Sequence, residues 1–521
     1  MKQLKELSIA GLLDRTAIDF PNHIAIKYKN TSITYKELNK TTEDVAKKLR
    51  SLNINPTDNV ALWMDASPEA LILFYALQKL GYAVILINTT LRGHELQKNI
   101  KFADVGLILV QDEESAILLL AELKDYCYQD TKQSVLSFKQ GCSLSVLTFE
   151  DVMALQQQDD NWPDINSNAF ALGLFTSGTS FHPCKLVCLQ GIQLVNSAFQ
   201  KSKDLRMDQN SRVCCILPLF HTFCINANVL AALAAAATLV IPNDRHTRSV
   251  LESIADEKCT HLSSVPSMFF ALVKKQESLN YDLTSLKFGI VGGAFCSPQK
   301  FVDIEKKLGL TLLSSLGQTE VVGGITICNP EDSLDVRANT VGHFVDLVEG
   351  KIDTSNLEEY ALRKIGEILV RGPMIMNGYY GCSESVCDED GWLHTGDLGW
   401  LDEDQNLHLS GRLKEIIIRG GENIVPYELE LYLNDDPRIK ICKVMGVPDN
   451  HYGESVCVCI VPSQTGHLSE LDVIKILSNK IAKYKLPKHI LFLDSMPFTT
   501  TGKIHSKQLQ SLVNEHISKN K

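Results

Sequence analysis

Gly391–Glu422, GWLHTGDLGWLDEDQNLHLSGRLKEIIIRGGE, is the stretch around which the chain is organised. It reads as a Gly-flanked turn carrying Asp397 after Gly396, a short strand ending near Gly411 and Arg412, and a charged joint at Lys414 and Glu415. A strand from Ile416 to Arg419 and a double glycine, Gly420 and Gly421, follow. A carboxylate at Asp397 can accept hydrogen bonds from two adjacent ribose hydroxyls, and a guanidinium at Arg412 can donate to the same sugar. For one Asp and one Arg alone, the plainer reading is a β-meander whose turns happen to be charged.

The chain's 521 residues are too many for one ordinary core and imply two or more domains. Its 45% apolar and 22% charged fractions are those of a globular protein, and a net charge of −11 argues against a general nucleic-acid surface. The 15 cysteines are scattered, with no metal-type pair; Cys214, Cys215, Cys457 and Cys459 sit among apolar neighbours and read as buried thiols of a reducing cytosol. The N-terminal MKQLKELSIAGLLDR lacks a signal-peptide core, and the longest apolar run, Val229–Ile241, is too short to span a bilayer. The expected location is cytoplasmic, with no transmembrane segment and no nucleic-acid partner.

From Ala25 to about Leu109, strand and helix patterns alternate, and the alternation resumes from Ala169 to Phe295. This predicts α/β layers with largely parallel strands. Ser143–Trp162 reads as a polar surface connection, and Ser333–Gly399, with GEILVRG and NGYYG, as a small β subdomain. Beyond Arg412 the composition shifts to a compact α+β tail, with helices expected at Pro426–Leu433 and Ser469–Lys483. The expected division is residues 1–413 as a large N-terminal domain of layered α/β subdomains plus the small β subdomain, and 414–521 as a small α+β domain. No low-complexity linker separates them, which favours a defined hinge.

Four motifs can carry chemistry. Thr176–Val187, TSGTSFHPCKLV, follows a buried strand; its Thr176, Ser177, Gly178, Thr179 and Ser180 can present hydroxyls and backbone N–H groups to a polyphosphate, or simply cap a helix. His221 ends the apolar run PLFH. Gly292, Gly293 and Ala294, and the run Leu316, Gly317, Gln318, Thr319, Glu320, both lie at strand ends, where α/β sheets bind ligands. There Gly292–Ala294 lets an adenine lie against backbone, Thr319 can bond an α-phosphate oxygen, and Glu320 offers a carboxylate to Mg²⁺. The last motif is PFTTTGKI, Pro497–Ile504, containing Lys503.

The order and spacing of these motifs resemble those of adenylate-forming enzymes: acyl-CoA synthetases, luciferases and peptide-synthetase adenylation domains. The resemblance runs from about Asp19 to Gln508. The phosphate loop departs from the family's TSGTTGxPKGV: Phe181 replaces the second Gly, Cys184 stands at the Lys, and Lys185 comes one place later. Leu316 replaces the Tyr of YGxTE, removing an aromatic face for adenine, and His221 replaces the Asp that pairs with an ammonium in amino-acid-activating members.

The resemblance implies an acid–thiol ligase that uses ATP, Mg²⁺ and coenzyme A. Lys503, Thr319 and Glu320 would support adenylation, Asp397 and Arg412 would hold the ribose, and Lys185 would reach the phosphates. His221, Phe223, Asn226, Val265, Leu316 and Gly323 would lie near the acyl group, Lys414 would be the hinge, and Gly420 and Gly421 would line the thiol passage. An acyl carrier protein as acceptor, a non-catalytic binding homologue and luciferase-like oxidation share these motifs, and the oligomeric state is not written in them.

Overall fold

The alternation after Ala25 builds two sheets with parallel centres. In the computed structural model, residues 4–54, 58–123, 127–129, 135–138, 143–158, 162–176, 185–355, 365–449, 451–463, 468–478, 480–499 and 503–519 are described. One nine-stranded sheet centres on the parallel strands Thr311–Leu316, Phe288–Val291, His261–Leu262, Arg212–Cys214, Thr238–Ile241 and Ile24–Tyr28. A second runs through the parallel strands Phe170–Thr176, Val84–Leu86, Asn59–Trp63, Val105–Val110 and Ser143–Thr148.

Helices form where the sequence gives both an apolar face and a start signal. Tyr35–Arg50 opens with a capping box in which Glu37 and Thr34 satisfy each other's backbone N–H groups, and it buries Leu38, Val45 and Leu49. Pro68–Lys79 starts with Ser67 as cap and Pro68 in its first turn, where the missing N–H costs nothing. It is buried along its whole length, between the two sheets' shared core.

A four-stranded antiparallel sheet follows, Glu349–Asp353, Gly366–Arg371, Leu393–Leu401 and Leu407–Arg412. The tail carries its own sheet, Glu422–Ile424, Ile417–Arg419, Gly453–Pro462 and Ile439–Asp449, with His489–Phe492 parallel to Gly453–Pro462. Cys457 and Cys459 do share one buried face, under Val513 and Leu509 of the C-terminal helix, and Cys214 and Cys215 are buried too. Among the described residues, no helix is long and apolar enough to cross a membrane.

Several expectations are corrected. Ser143–Trp162 is no surface connection: Ser143–Thr148 is a strand beside Val105–Val110, with Leu144 and Val146 buried, and Phe149–Ala154 is a helix capped by Thr148 and Asp151. Its alternating apolar residues are the signal that its polar content concealed. Gly378–Tyr379, from NGYYG, leaves the small β subdomain and pairs with Lys185–Gln190 of the second large sheet. Gly396 and Asp397 lie within the strand Leu393–Leu401, where Gly396 at φ +71° makes an irregularity and not a chain reversal. The expected Ser469–Lys483 helix covers only Glu470–Ser478.

Candidate functional site

Four elements converge at one cleft. The strand Thr311–Leu316 runs into Gly317 and then a single 3₁₀ turn, Thr319–Val321. Gly317 is required there, because a Cβ would stand 2.2 Å from the Gly323 carbonyl oxygen. The turn sends Gln318 toward the small β sheet, where its Nε2 donates to Asp397 Oδ2 at 2.6 Å and to the Thr395 carbonyl at 2.9 Å.

Asp397 faces Arg412 across the sheet, with Arg412 Nε 2.9 Å from Oδ1. Both carboxylate oxygens therefore already carry one donor, so ribose hydroxyls would share them with protein donors. Burial pushes the Asp397 pKa up, against the pull of Arg412, Gln318 and Lys503. Glu367 braces the segment: its Oε1 accepts from the Gly396 N–H at 2.9 Å and its Oε2 from His394 Nδ1 at 2.8 Å.

The tail supplies Lys503. Its backbone is tied to Thr499: the Thr499 N–H donates to the Lys503 carbonyl at 2.7 Å and the Lys503 N–H to Thr499 Oγ1 at 3.2 Å. The residue has exposed surface, yet its ammonium interacts electrostatically with Arg412, Asp397, Glu320 and His221. The crowded cleft pushes its pKa down by excluding water, Arg412 adds repulsion, and Asp397 and Glu320 oppose both. Phe295 meets Tyr427 edge-on, with ring centroids 5.1 Å apart, and Lys300 Nζ donates to the Lys440 carbonyl, so the tail touches the large part through its helix Pro426–Asn434 and its strand Ile439–Asp449.

Glu320 accepts from the Tyr379 hydroxyl through Oε1 at 3.0 Å. Among the described residues, no three His, Cys, Asp or Glu side chains gather around a metal position. A single carboxylate nevertheless suits Mg²⁺, which keeps waters and substrate phosphates in its shell. Glu320 would hold the ion, and the ion would neutralise phosphate charge when bound.

The acyl candidates divide. Phe223 lies beside Gly292 and Val265 beside Gly293, where added Cβ atoms would stand 3.8 Å from Phe223 Cε1 and 3.4 Å from Val265 Cγ1. Leu316 packs with Phe223 in one apolar cluster. Gly323, at φ +77°, has Thr222 against it. Asn226 is committed otherwise: its Nδ2 donates to Ser197 Oγ at 2.8 Å and to the Val322 carbonyl at 2.7 Å, fixing the loop that precedes Gly323.

Among the described residues, His221 has no anionic partner and its Nε2 is shielded without a hydrogen bond. Burial first, then Lys503, lowers its pKa from 6.5 to about 4, so it is neutral at pH 7. A folded pKa below the unfolded one means that its stability contribution is complete above pH 6.5 and is lost as pH falls toward 4. His221→Gln is expected to lose less stability than wild type between about pH 7 and about pH 4.5, read as the urea midpoint at both values; equal losses would contradict the enclosed ring.

Thr176 ends its strand and its Oγ1 donates to the Lys185 carbonyl at 3.4 Å, while Lys185 Nζ lies 4.2 Å from the Tyr379 ring centroid. Ser177, Gly178, Thr179 and Ser180, with Phe181 and Cys184, lie outside the described residues. Gly292, Gly293 and Ala294 leave the strand Phe288–Val291 at the cleft, Gly293 at φ +80°. Lys414 sits in a short 3₁₀ turn, Leu413–Glu415, between the two sheets.

Gly420 and Gly421 form a two-residue hairpin with φ +62° and +93°, the conformation a tight antiparallel turn demands. An added Cβ at Gly421 would meet nothing within 4 Å. Turn geometry accounts for Gly421, whereas a Cβ at Gly420 would also stand 3.1 Å from Tyr452 Cδ1; among the described residues nothing crowds Gly421 in this arrangement.

Glu367 and Tyr379 are the residues that sequence reasoning missed. A lone carboxylate in the apolar strand GEILVR and an aromatic pair after a glycine were their only signals.

The family model of the AMP-binding enzymes matches residues 13–380, and that of the AMP-binding enzyme C-terminal domain matches 428–503. The chain belongs to the AMP-binding enzyme family. Its relatives are AMP-forming acyl-CoA ligases matched along the whole chain. A mitochondrial medium-chain acyl-CoA ligase of Rattus norvegicus is 26% identical over 98% of this chain and 88% of its own length. The indoleacetate–CoA ligase of Aromatoleum aromaticum is 28% identical over 97% and 98%. The o-succinylbenzoate CoA synthetase of Bacillus subtilis, solved with its acyl-adenylate intermediate, superposes with a TM-score of 0.81 at 25% identity, covering 96% of this chain and 97% of that one. The same synthetase has been solved with ATP and a magnesium ion, at 25% identity and a TM-score of 0.79, covering 96% and 99%.

Proposed function

We propose that this AMP-binding enzyme joins an organic carboxylic acid to the thiol of coenzyme A in two steps at one cleft. The observation that carries the reading is the hydrogen-bonded hairpin that sets Asp397 against Arg412 and against Gln318, next to Glu320, with Lys503 from the tail within electrostatic reach. In the first step the acid's carboxylate oxygen attacks the α-phosphorus of ATP. The bond from that phosphorus to the bridging oxygen breaks, and pyrophosphate leaves. Lys503 offsets charge gathering on the reacting oxygens, Thr319 donates to an α-phosphate oxygen, and Asp397 with Arg412 holds the ribose.

Residues 1–413 form the adenylate-holding domain in this reading and 414–521 the mobile one, turning about Lys414. Rotation withdraws Lys503 and brings the Gly420–Gly421 hairpin to the cleft. The thiol sulfur then attacks the acyl carbonyl carbon, the carbon–oxygen bond to AMP breaks, and the thiol proton is released. The clear space around Gly421 belongs to the first orientation, and a passage would form only after the turn.

The acid is of medium length, aromatic or otherwise functionalised. Phe223, Val265 and Leu316 offer apolar contact, and His221 provides no anion for an ammonium, whose unpaired burial would be costly. The deciding experiment is pyrophosphate release from ATP and Mg²⁺ over fatty, aryl and amino acids, with and without coenzyme A. Release with one acid class, raised by coenzyme A, supports the reading. Release indifferent to coenzyme A transfers the acceptor role to a carrier-protein phosphopantetheine. ATP binding without release for any acid overturns catalysis.

A further inference from the structure

We propose that Tyr379 is a positioning residue of the adenylation site, holding the Glu320 carboxylate with its hydroxyl and the Lys185 ammonium with its ring. The role rests on the reading above, in which Glu320 and Lys185 face Mg²⁺ and the phosphates of ATP.

Three observations place it. The Tyr379 hydroxyl donates to Glu320 Oε1 at 3.0 Å, and Lys185 Nζ stands 4.2 Å from the centroid of the same ring. The ring itself is fixed: Tyr379 pairs with Val187 on the strand that Lys185 begins, and the next residue's N–H donates to the Leu186 carbonyl at 2.8 Å. The preceding segment is tied to the same turn and helix, because the Met376 N–H donates to the Glu320 carbonyl at 2.8 Å and Gln193 Nε2 donates to the Ile375 carbonyl at 2.6 Å.

The physical need follows from the sequence. The loop that precedes Lys185 has Cys184 where a lysine is usual, so the nearest cation is one residue on, at the start of a strand. A lysine there has four rotatable bonds and would sample solvent; an aromatic face gives its ammonium a preferred seat. The same side chain fixes one oxygen of the carboxylate, so the cation and the metal ligand are kept a ring's width apart.

The test is calorimetric titration of the full-length protein with ATP, with Mg²⁺ absent and then over a range of free Mg²⁺. Tyr379→Phe keeps the ring and loses the hydroxyl. It is expected to raise the free Mg²⁺ needed for half-maximal tightening about tenfold, with metal-free ATP binding unchanged. Tyr379→Leu is expected to show the same metal defect and, in addition, about threefold weaker metal-free binding. Lys185→Met is expected to reproduce that second loss, and to add nothing further when combined with Tyr379→Leu. Thermal unfolding of each variant separates these effects from misfolding, and rescue of the metal-free arm by phenylalanine is a result that a purely structural tyrosine would not give. Equal defects in the phenylalanine and leucine variants, an unmoved Mg²⁺ requirement, or full additivity of Lys185→Met with Tyr379→Leu would overturn the role of Tyr379 alone. Absence of ATP binding by the wild type would overturn the adenylation reading and this role together.

Discussion

Lys503→Ala is expected to lower acid-dependent pyrophosphate release by about a hundredfold or more, while thioester formation from supplied acyl-adenylate stays close to wild type. The expectation rests on where the ammonium sits. It is within electrostatic reach of Arg412, Asp397, Glu320 and His221, although the backbone that carries it belongs to the tail. A cation whose backbone is anchored to Thr499 needs little reorganisation when charge develops at the α-phosphorus. In the proposed mechanism only the first reaction uses that orientation, so only the first should fail. The excluded water and Arg412 also push the Lys503 pKa down, so its charge is shed at lower pH than an ordinary lysine's, and pyrophosphate release should decline correspondingly early on the alkaline side. Measuring the two half-reactions separately decides the matter: an equal loss in both would reject the assigned role.

Asp397→Asn should separate binding from stability. The Asp397 side chain is only 7% exposed, whereas its partner Arg412 is 57% exposed. Burial raises the folded pKa above the usual 3.8. A carboxylic acid with a raised folded pKa stabilises the fold most at low pH, and that contribution is lost as pH rises through the folded value. At neutral pH the ionised Asp397 is therefore a cost to the empty protein, one that the proposed bonds from ribose hydroxyls would offset. The asparagine variant removes the cost, and Arg412 remains hydrated. Affinity for ATP should fall about 10- to 100-fold, with the nucleotide-free unfolding temperature unchanged or higher. Calorimetric titration and thermal unfolding read the two effects, and a clear drop in unfolding temperature would show that the pair stabilises the fold.

The parallel-centred layers were legible because strand and helix alternate in hydrophobic period, with start signals such as Thr34–Glu37 and Ser67–Pro68. The cleft was legible where its residues lie close together in sequence: Gln318 to Glu320 share one turn, and Asp397 and Arg412 share one hairpin. Contacts made by distant segments were not legible. Tyr379 reaches Glu320 because Gly378–Tyr379 joins a different sheet from the one its neighbours suggest, and no local pattern encodes that choice of partner. Glu367 failed for a similar reason, since a carboxylate in an apolar strand gains meaning only when the facing strand presents the Gly396 N–H and His394. Asn226 shows the converse. Its position suggested the acyl group, but both its donated bonds go to protein atoms.

The hairpin between Asp397 and Arg412 also sets a requirement on chain length. Leu398 pairs with Gly411 but Gly399 pairs with Leu409, so Ser410 is an extra residue on one strand. The far end of the hairpin is fixed by Asp402, which accepts from the Asn406 N–H at 2.7 Å, and by Trp400 stacked on His408 with centroids 4.0 Å apart. Side chains alternate between faces, so losing the bulge residue would re-aim everything beyond it. Deleting Ser410 would turn Arg412 away from Asp397 without altering either residue. In this hairpin the spacing is as much a part of the site as the side chains, and a one-residue deletion at a serine outside the chemistry would act like the loss of the arginine itself.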